Sequence, residues 1–243
     1  MRGFIDLHSH WVAGVDDGAR TAEDGRAMLR ALKAAGFDHV VATPHMRPGM
    51  FDNTAPALRS AFARTVDAIG AGADPELPGV SLSSEHFFDD VVFSRLMSDE
   101  ALPYQGGKAV LVELGYRAFP ARLQHRLHDL VRRGLRPVLA HPERYEPVWE
   151  DIEALDPLLD VGAVMLLDVA ALVGKYGRSA RKAAEALLEA GYYQAACSDA
   201  HKAKDVDEVA KGIEALQKRF GEEEASFLLT EGPRQILEGK ITG

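Results

Sequence analysis

The chain has 243 residues, 47% hydrophobic and 27% charged, the balance of a globular protein long enough to bury a sizeable core. A net charge of −9 argues against broad binding to nucleic acid or an anionic membrane, and no apolar run reaches membrane-spanning length. The single cysteine, Cys197, excludes an internal disulfide, and no signal segment is legible at the start, so a reducing cytoplasm is the expected setting.

In chain order, short apolar runs alternate with helical patterns. The predicted strands are GFIDL (3–7), HVVAT (39–43), GVSLSS (79–84), AVLVEL (109–114), RPVLA (136–140), AVMLLDV (163–169) and YQAAC (193–197). They are rich in Val, Leu and Ile, as parallel strands buried on both faces require. TAEDGRAMLRALKAAG (21–36) reads as a helix opened by a capping box of Thr21 and Asp24 and stopped at Gly36. ARLQHRLHDLVRRG and RSARKAAEALLEAG follow the same plan, and residues of about 203–240 read as C-terminal helices packing on the barrel. Seven βα units without a break in composition predict one α/β domain over 1–243, a distorted seven-stranded (β/α)7 barrel.

Barrel chemistry collects at the C-terminal ends of the strands. There the sequence delivers His8 and His10, with Asp16 and Asp17 shortly after; then His45, Glu85, Glu113 and His141; and finally Asp199 and His201. The sixth strand offers Asp168. His8 and His10 alternate, so both imidazoles project from one side of an extended segment. Five of the nine histidines at strand exits point to a polynuclear metal site, and imidazole with carboxylate but no thiolate suits zinc, manganese or iron. Asp17, Glu85, Glu113 and Asp199 bring four negative charges against six positive from three divalent ions, leaving a site that attracts an oxyanion such as a phosphate ester. Arg47 and Arg144 lie close enough to complete a phosphate clamp, or are solvated loop arginines. Asp199 and the histidines near it are the candidates for moving a proton, and the sequence does not choose among them.

Other residues read as structural. Cys197 ends a buried strand, and Ala203 stands where a thiol phosphatase would carry its loop arginine. His125 and His128 belong to a basic helix face, His39 begins its strand away from the rim, and His86 points opposite to Glu85. Asp16 orients Asp17 or caps a helix. Met50 and Phe51 shape an apolar edge or pin their loop.

The ordered set DLHSH…VDDG, TPHMRPGMF, SSEHFF, VLVELG, LAHPERY and CSDAHK resembles the motifs of the polymerase-and-histidinol-phosphatase superfamily, and within it the bacterial CpsB/CapC/YwqE-type protein-tyrosine phosphatases of capsule and exopolysaccharide biosynthesis. The resemblance implies a barrel with up to three metal ions, manganese foremost and iron or zinc as alternatives. Its ligands fall on His8, His10, Asp17, His45, Glu85, Glu113, His141, Asp199 and His201. It implies phosphotyrosine hydrolysis on a partner tyrosine kinase, with Arg144 as a phosphate-binding residue and Arg47 in the corresponding basic loop. One departure stands out: where such proteins carry an arginine after SDxH, this chain reads KAKDVDEV, leaving Lys202 or Lys204 as point charges without a planar grip. The alternatives are a phosphoesterase for histidinol phosphate or a nucleotide, a nuclease, and an inactive metal-binding module that docks a kinase. An oligomer is compatible with the sequence, although no self-complementary patch is legible in it.

Overall fold

The structure is a computed structural model that describes residues 3–241. Among these, nine strands form two all-parallel sheets: β1 (Phe4–Asp6), β2 (Phe37–Ala42) and β4 (Gly79–Leu82) in the order β1-β2-β4, and β3 (His45–Met46), β5 (Glu85–Phe87), β6 (Ala109–Glu113), β7 (Arg136–Ala140), β8 (Val164–Asp168) and β9 (Tyr193–Cys197) in the order β3-β5-β6-β7-β8-β9. The count differs from the seven predicted because the second and third segments are each followed by a short extra strand. The break after β2 falls at Thr43 and Pro44, where proline has no N–H to give to a ladder. Thr43 N–H turns instead to Ser9 O at 2.8 Å, and Ser84 Oγ donates to Pro44 O at 2.7 Å.

Helix α1 (Ala22–Ala35) has the predicted limits: Thr21 accepts from Asp24 N–H, Asp24 accepts from Thr21 N–H, and Gly36 stops the helix at φ 114°. Its buried stripe of Met28, Leu29 and Leu32 covers the outer face of the strands. Helix α2 (Ala55–Ile69) and α3 (Asp90–Met97) follow, then α4 (Leu123–Arg132), two short turns α5 (Glu146–Glu150) and α6 (Asp156–Asp160), and α7 (Gly177–Glu189). Helix α8 (Val206–Phe220) leads into a continuous helical tail: α9 (Glu222–Ser226), a π turn, and α10 (Gly232–Glu238). No described helix is long and apolar enough to cross a membrane.

Strands β6 and β8 are buried at every position and β7 and β9 at all but one, which is why their sequences are nearly unbroken apolar runs, whereas β4 is only half-buried. On β6, Ala109 and Leu111 join one cluster while Val110 and Val112 join another. The larger cluster lies under the helices. The smaller draws Val41 from the three-stranded sheet and Leu7 from the end of β1 together with Leu111, Val138, Leu166 and Ala195 from the six-stranded one, and Ile236 of α10 completes it.

Candidate metal centre

All nine predicted ligands meet at one rim, where β1, β2, β4, β6, β7 and β9 end and the short strands β3 and β5 begin. The ladder does part of the work, since His45 and Glu85 are register partners on β3 and β5. At the exits of β7 and β9 the chain turns sharply: His141 has φ 35° and Asp199 φ 43°, a left-handed conformation uncommon for side-chain-bearing residues and concentrated at functional sites. The β1 and β9 exits are tied together. Asp6, buried, accepts from Ser198 N–H at 2.9 Å and Ser198 Oγ at 2.5 Å, while Asp199 N–H donates to His8 O and His10 N–H to Ala200 O, both at 2.9 Å.

His8 Nε2 lies 3.2 Å from His10 Nε2, 3.2 Å from Asp199 Oδ1 and 3.3 Å from Glu85 Oε2. His10 Nε2 is 3.3 Å from Asp199 Oδ1, and His141 Nε2 is 3.2 Å from Glu85 Oε1. His45 presents Nδ1 to Glu85 at 2.8 Å and Nε2 to Asp17 at 3.4 Å, and His201 Nε2 is also 3.4 Å from Asp17. Two facing imidazole Nε2 atoms repel unless a proton or cation lies between them. Donors bound at about 2.1 Å around a tetrahedral ion stand roughly 3.4 Å apart, so these separations are close to coordination edges. The donor atoms fall into four groups that overlap through His8, His10, His45 and Glu85: His10–Asp17–His45–His201, His8–Glu85–His141, His8–His10–Asp199 and His45–Glu85–Glu113. Buried Oδ1 of Asp199 and Oε2 of Glu113 have no hydrogen-bond partner. Orphaned buried donors and acceptors of this kind are costly unless something satisfies them. The residues therefore fit divalent cations.

The electrostatics agree. Burial opposes protonation of His45, but Glu85 and Asp17 outweigh it and push the imidazole up to about 11. Burial likewise opposes His201, which Asp199 and Asp17 raise to about 9. Burial and then Glu85 push Glu113 up to about 7, and burial with Arg144 nearby holds His141 down at about 4. Asp199 stays ionised: burial works against its charge, yet His8 and Arg144 hold it well below the usual carboxylate range.

Arg144 reaches the cluster through Asp199, at 2.6 Å, and is also bound to Asp168. Its guanidinium stacks 3.6 Å from the Tyr176 ring centroid. Arg47 holds no ligand carboxylate; it packs 4.0 Å over the Phe87 ring, and two backbone hydrogen bonds to Phe51 close its loop. Both arginines line a cavity of about 310 Å³ over the cluster, together with Met50, Phe51, Tyr116, Lys175 and Tyr176. Phe51 stacks on His45, with centroids 5.1 Å apart and planes 5° from parallel.

The sequence left several functional contacts open. Asp16 accepts from His10 Nδ1 at 2.8 Å, which fixes the tautomer that turns the Nε2 lone pair toward the cluster, and also accepts from His45 N–H at 3.1 Å. Tyr116 donates to Glu113 Oε1 at 2.9 Å. Glu143 accepts from Asp168 N–H and Tyr193 OH, both at 2.9 Å, bracing the turn that carries Arg144. Cys197 is buried with its thiol directed at Leu167 O, outside the cavity. His86 is spent on Leu111 O and Leu102 N–H, and His125 and His128 are exposed on α4.

Comparison with known proteins places these features. The chain is 28% identical over 239 residues to tyrosine-protein phosphatase YwqE of Bacillus subtilis (strain 168), covering 97% of this chain and 92% of that protein. It is 23% identical to tyrosine-protein phosphatase CpsB of Streptococcus pneumoniae, covering 98% and 99%. A crystal structure from work on YwqE and CpsB, described there as unique metal-dependent tyrosine phosphatases, superposes with a TM-score of 0.89 at 28% identity, covering 98% and 96%. A phosphotriesterase homology protein from Escherichia coli shares the fold, with a TM-score of 0.64 at 12% identity over 97% and 99% of the two chains. Residues 4–238 match the profile of the family described as capsular polysaccharide synthesis, CpsB/CapC, and the chain belongs to that family.

Proposed function

We propose that the protein is a metal-dependent phosphatase that hydrolyses phosphotyrosine on a protein, its cellular partner being a bacterial tyrosine kinase of polysaccharide export in the cytoplasm. The observation that carries this reading is the convergence of five imidazoles and four carboxylates, at coordination-edge separations, beneath a cavity rimmed by Phe51, Tyr116 and Tyr176. The names of the relatives support the substrate class.

We propose further that the whole chain works as one domain in which the strands close into a distorted (β/α)7 barrel, with the C-terminal helices packed on it. Hydrogen bonds between the β1 and β9 exits, the bonds from Glu85 N–H to Thr43 O and Pro44 O that tie the β2 exit to β5, and an inner cluster drawn from both sheets support closure.

His8, His10, Asp17, His45, Glu85, Glu113, His141, Asp199 and His201 would hold up to three divalent ions, manganese foremost, with iron or zinc also suited to these donors. Bound ions supply a water of lowered pKa and neutralise charge on the phosphoryl oxygens. The protein's own groups do the rest. Asp16 and Tyr116 fix the orientation of His10 and Glu113. Asp199, held ionised by His8 and Arg144, cannot act as a proton donor. Arg144 holds Asp199 in place and, with Arg47, gives the cavity its cationic wall. Phe51 and Met50 offer the apolar surface against which a phenyl ring packs.

The test is turnover of phosphotyrosine peptides against phosphoserine peptides, histidinol phosphate and nucleotides, with and without manganese. Manganese-stimulated cleavage of phosphotyrosine that a chelator abolishes is expected. Preference for a small alkyl phosphate, or no turnover of aryl phosphates with manganese, iron or zinc, overturns the reading.

A further inference from the structure

Three cations line the cavity over the cluster, Arg47, Arg144 and Lys175, and they differ in what they already hold. Arg144 is shared between the buried carboxylates of Asp168 and Asp199, so much of its charge is compensated before any substrate arrives. Arg47 and Lys175 contact aromatic faces instead: Arg47 lies over Phe87, and the Lys175 ammonium is 5.3 Å from the Tyr176 centroid. Among the described residues neither has a carboxylate within ion-pair distance. An unpaired cation beside a low-dielectric cavity attracts an anion more strongly than one already neutralised.

Lys175 sits in the turn between the 3-10 segment Val169–Val173 that follows β8 and helix α7, its N–H bonded to Ala170 O at 3.3 Å. Arg47 comes from the β3 exit, four places away in the strand order. The lysines suggested by the sequence after SDAH are elsewhere. Lys202 lines a neighbouring cavity with Arg20 and Asp24, and Lys204 is exposed in its own turn.

Resting on the phosphoester reading above, we propose that Lys175 is the second free cation that binds the substrate phosphate, with Arg47 as the first, beside Arg144, which is already paired with Asp168 and Asp199. An ammonium on a flexible stem reads charge rather than the planar geometry of the phosphoryl group. Its loss therefore weakens binding more than it slows the chemical step.

The experiment is calorimetric titration of inorganic phosphate into the manganese-loaded protein for the wild type, Lys175→Met, Lys175→Arg and, as a control, Lys204→Met, with metal content measured for each. Lys175→Met is expected to lose about tenfold in phosphate affinity, with Lys175→Arg within about twofold of wild type and Lys204→Met unchanged. The KM for p-nitrophenyl phosphate should rise by the same factor in Lys175→Met, with kcat changed by less than about threefold. Phosphate binding by Lys175→Met equal to wild type at matched metal content overturns the proposal, as does a wild type that binds no phosphate. A wild type that binds phosphate but cleaves no phosphotyrosine sinks the catalytic reading alone, and the binding comparison then still decides the role of Lys175.

Discussion

Loading the cluster with metal should release protons, and the structure sets how many. His45 and His201 belong to the same ligand group, with His10 and Asp17. Their imidazoles are pushed up to about 11 and about 9, so both are cationic at neutral pH without a metal. A metal ligand must be the neutral imidazole. Deprotonating them at pH 7, about four and two pH units below those values, costs about 5 and about 3 kcal/mol at 1.36 kcal/mol per unit. Affinity for a divalent ion at this group should accordingly rise by about a hundredfold per pH unit between pH 6 and 8, with release of about two protons per ion. The sign is opposite for the metal-free fold. Both pKa values lie above the ordinary 6.5, so the stabilisation they give is complete below that pH, declines as pH rises through about 9 for His201, and is lost through about 11 for His45. Competition against a fluorescent chelator at several pH values measures the slope, and calorimetry in buffers of different ionisation heat counts the protons. His201→Gln should lower the slope to about one proton. A pH-independent affinity, or no proton release at this group, refutes the reasoning.

Three further outcomes test the surroundings of the cluster. Asp16→Asn removes the carboxylate that orients His10 and should weaken metal binding by about 10–100-fold while far-ultraviolet circular dichroism stays unchanged; wild-type affinity would show that the loop orients His10 without it. At Gly18 an added Cβ would meet His10 O at 2.1 Å and His10 Cβ at 2.5 Å, so Gly18→Ala must move the His10 backbone. It should cost about 2–4 kcal/mol of stability in denaturant titrations and lower metal content, and a variant as stable as wild type would contradict the close approach. Cys197→Ala should retain turnover within about twofold, because the thiol is buried against Leu167 O, and loss of turnover at full metal content would revive a thiol mechanism.

The candidate ligand positions were legible because most of them fall at the end of an apolar run whose exit is a fixed place in a parallel βα unit. His8, His45, His141 and His201 could be placed at one rim without knowing a distance. What the sequence hid depends on contacts between units. Asp168 was visible at the rim, but its bond to Arg144 arises only when β8 lies beside β7. Asp16 lies six positions from His10, a spacing set by the loop folding back and not by any strand or helix period. The two-residue strand β3 is too short to leave a periodic signal. Lys202 misled because nearness in the chain was read as nearness in space, whereas Asp205 accepts from its N–H and shapes a turn whose side chain enters a different cavity. Tyr116 and Tyr176 look like ordinary loop aromatics until Glu113 and Arg144 are seen to rest on them.

The tie between Asp6 and Ser198 spans 192 positions, and the donors it gathers run from His8 to His201. During translation, the first histidine pair must wait for about 190 further residues to leave the ribosome before its last partner, His201, exists. Long-range closure of this kind is slow to find and late to form. A growing or prematurely terminated chain that stops short of Ser198 therefore lacks a complete centre, and the site can assemble only after β9 and its exit have emerged.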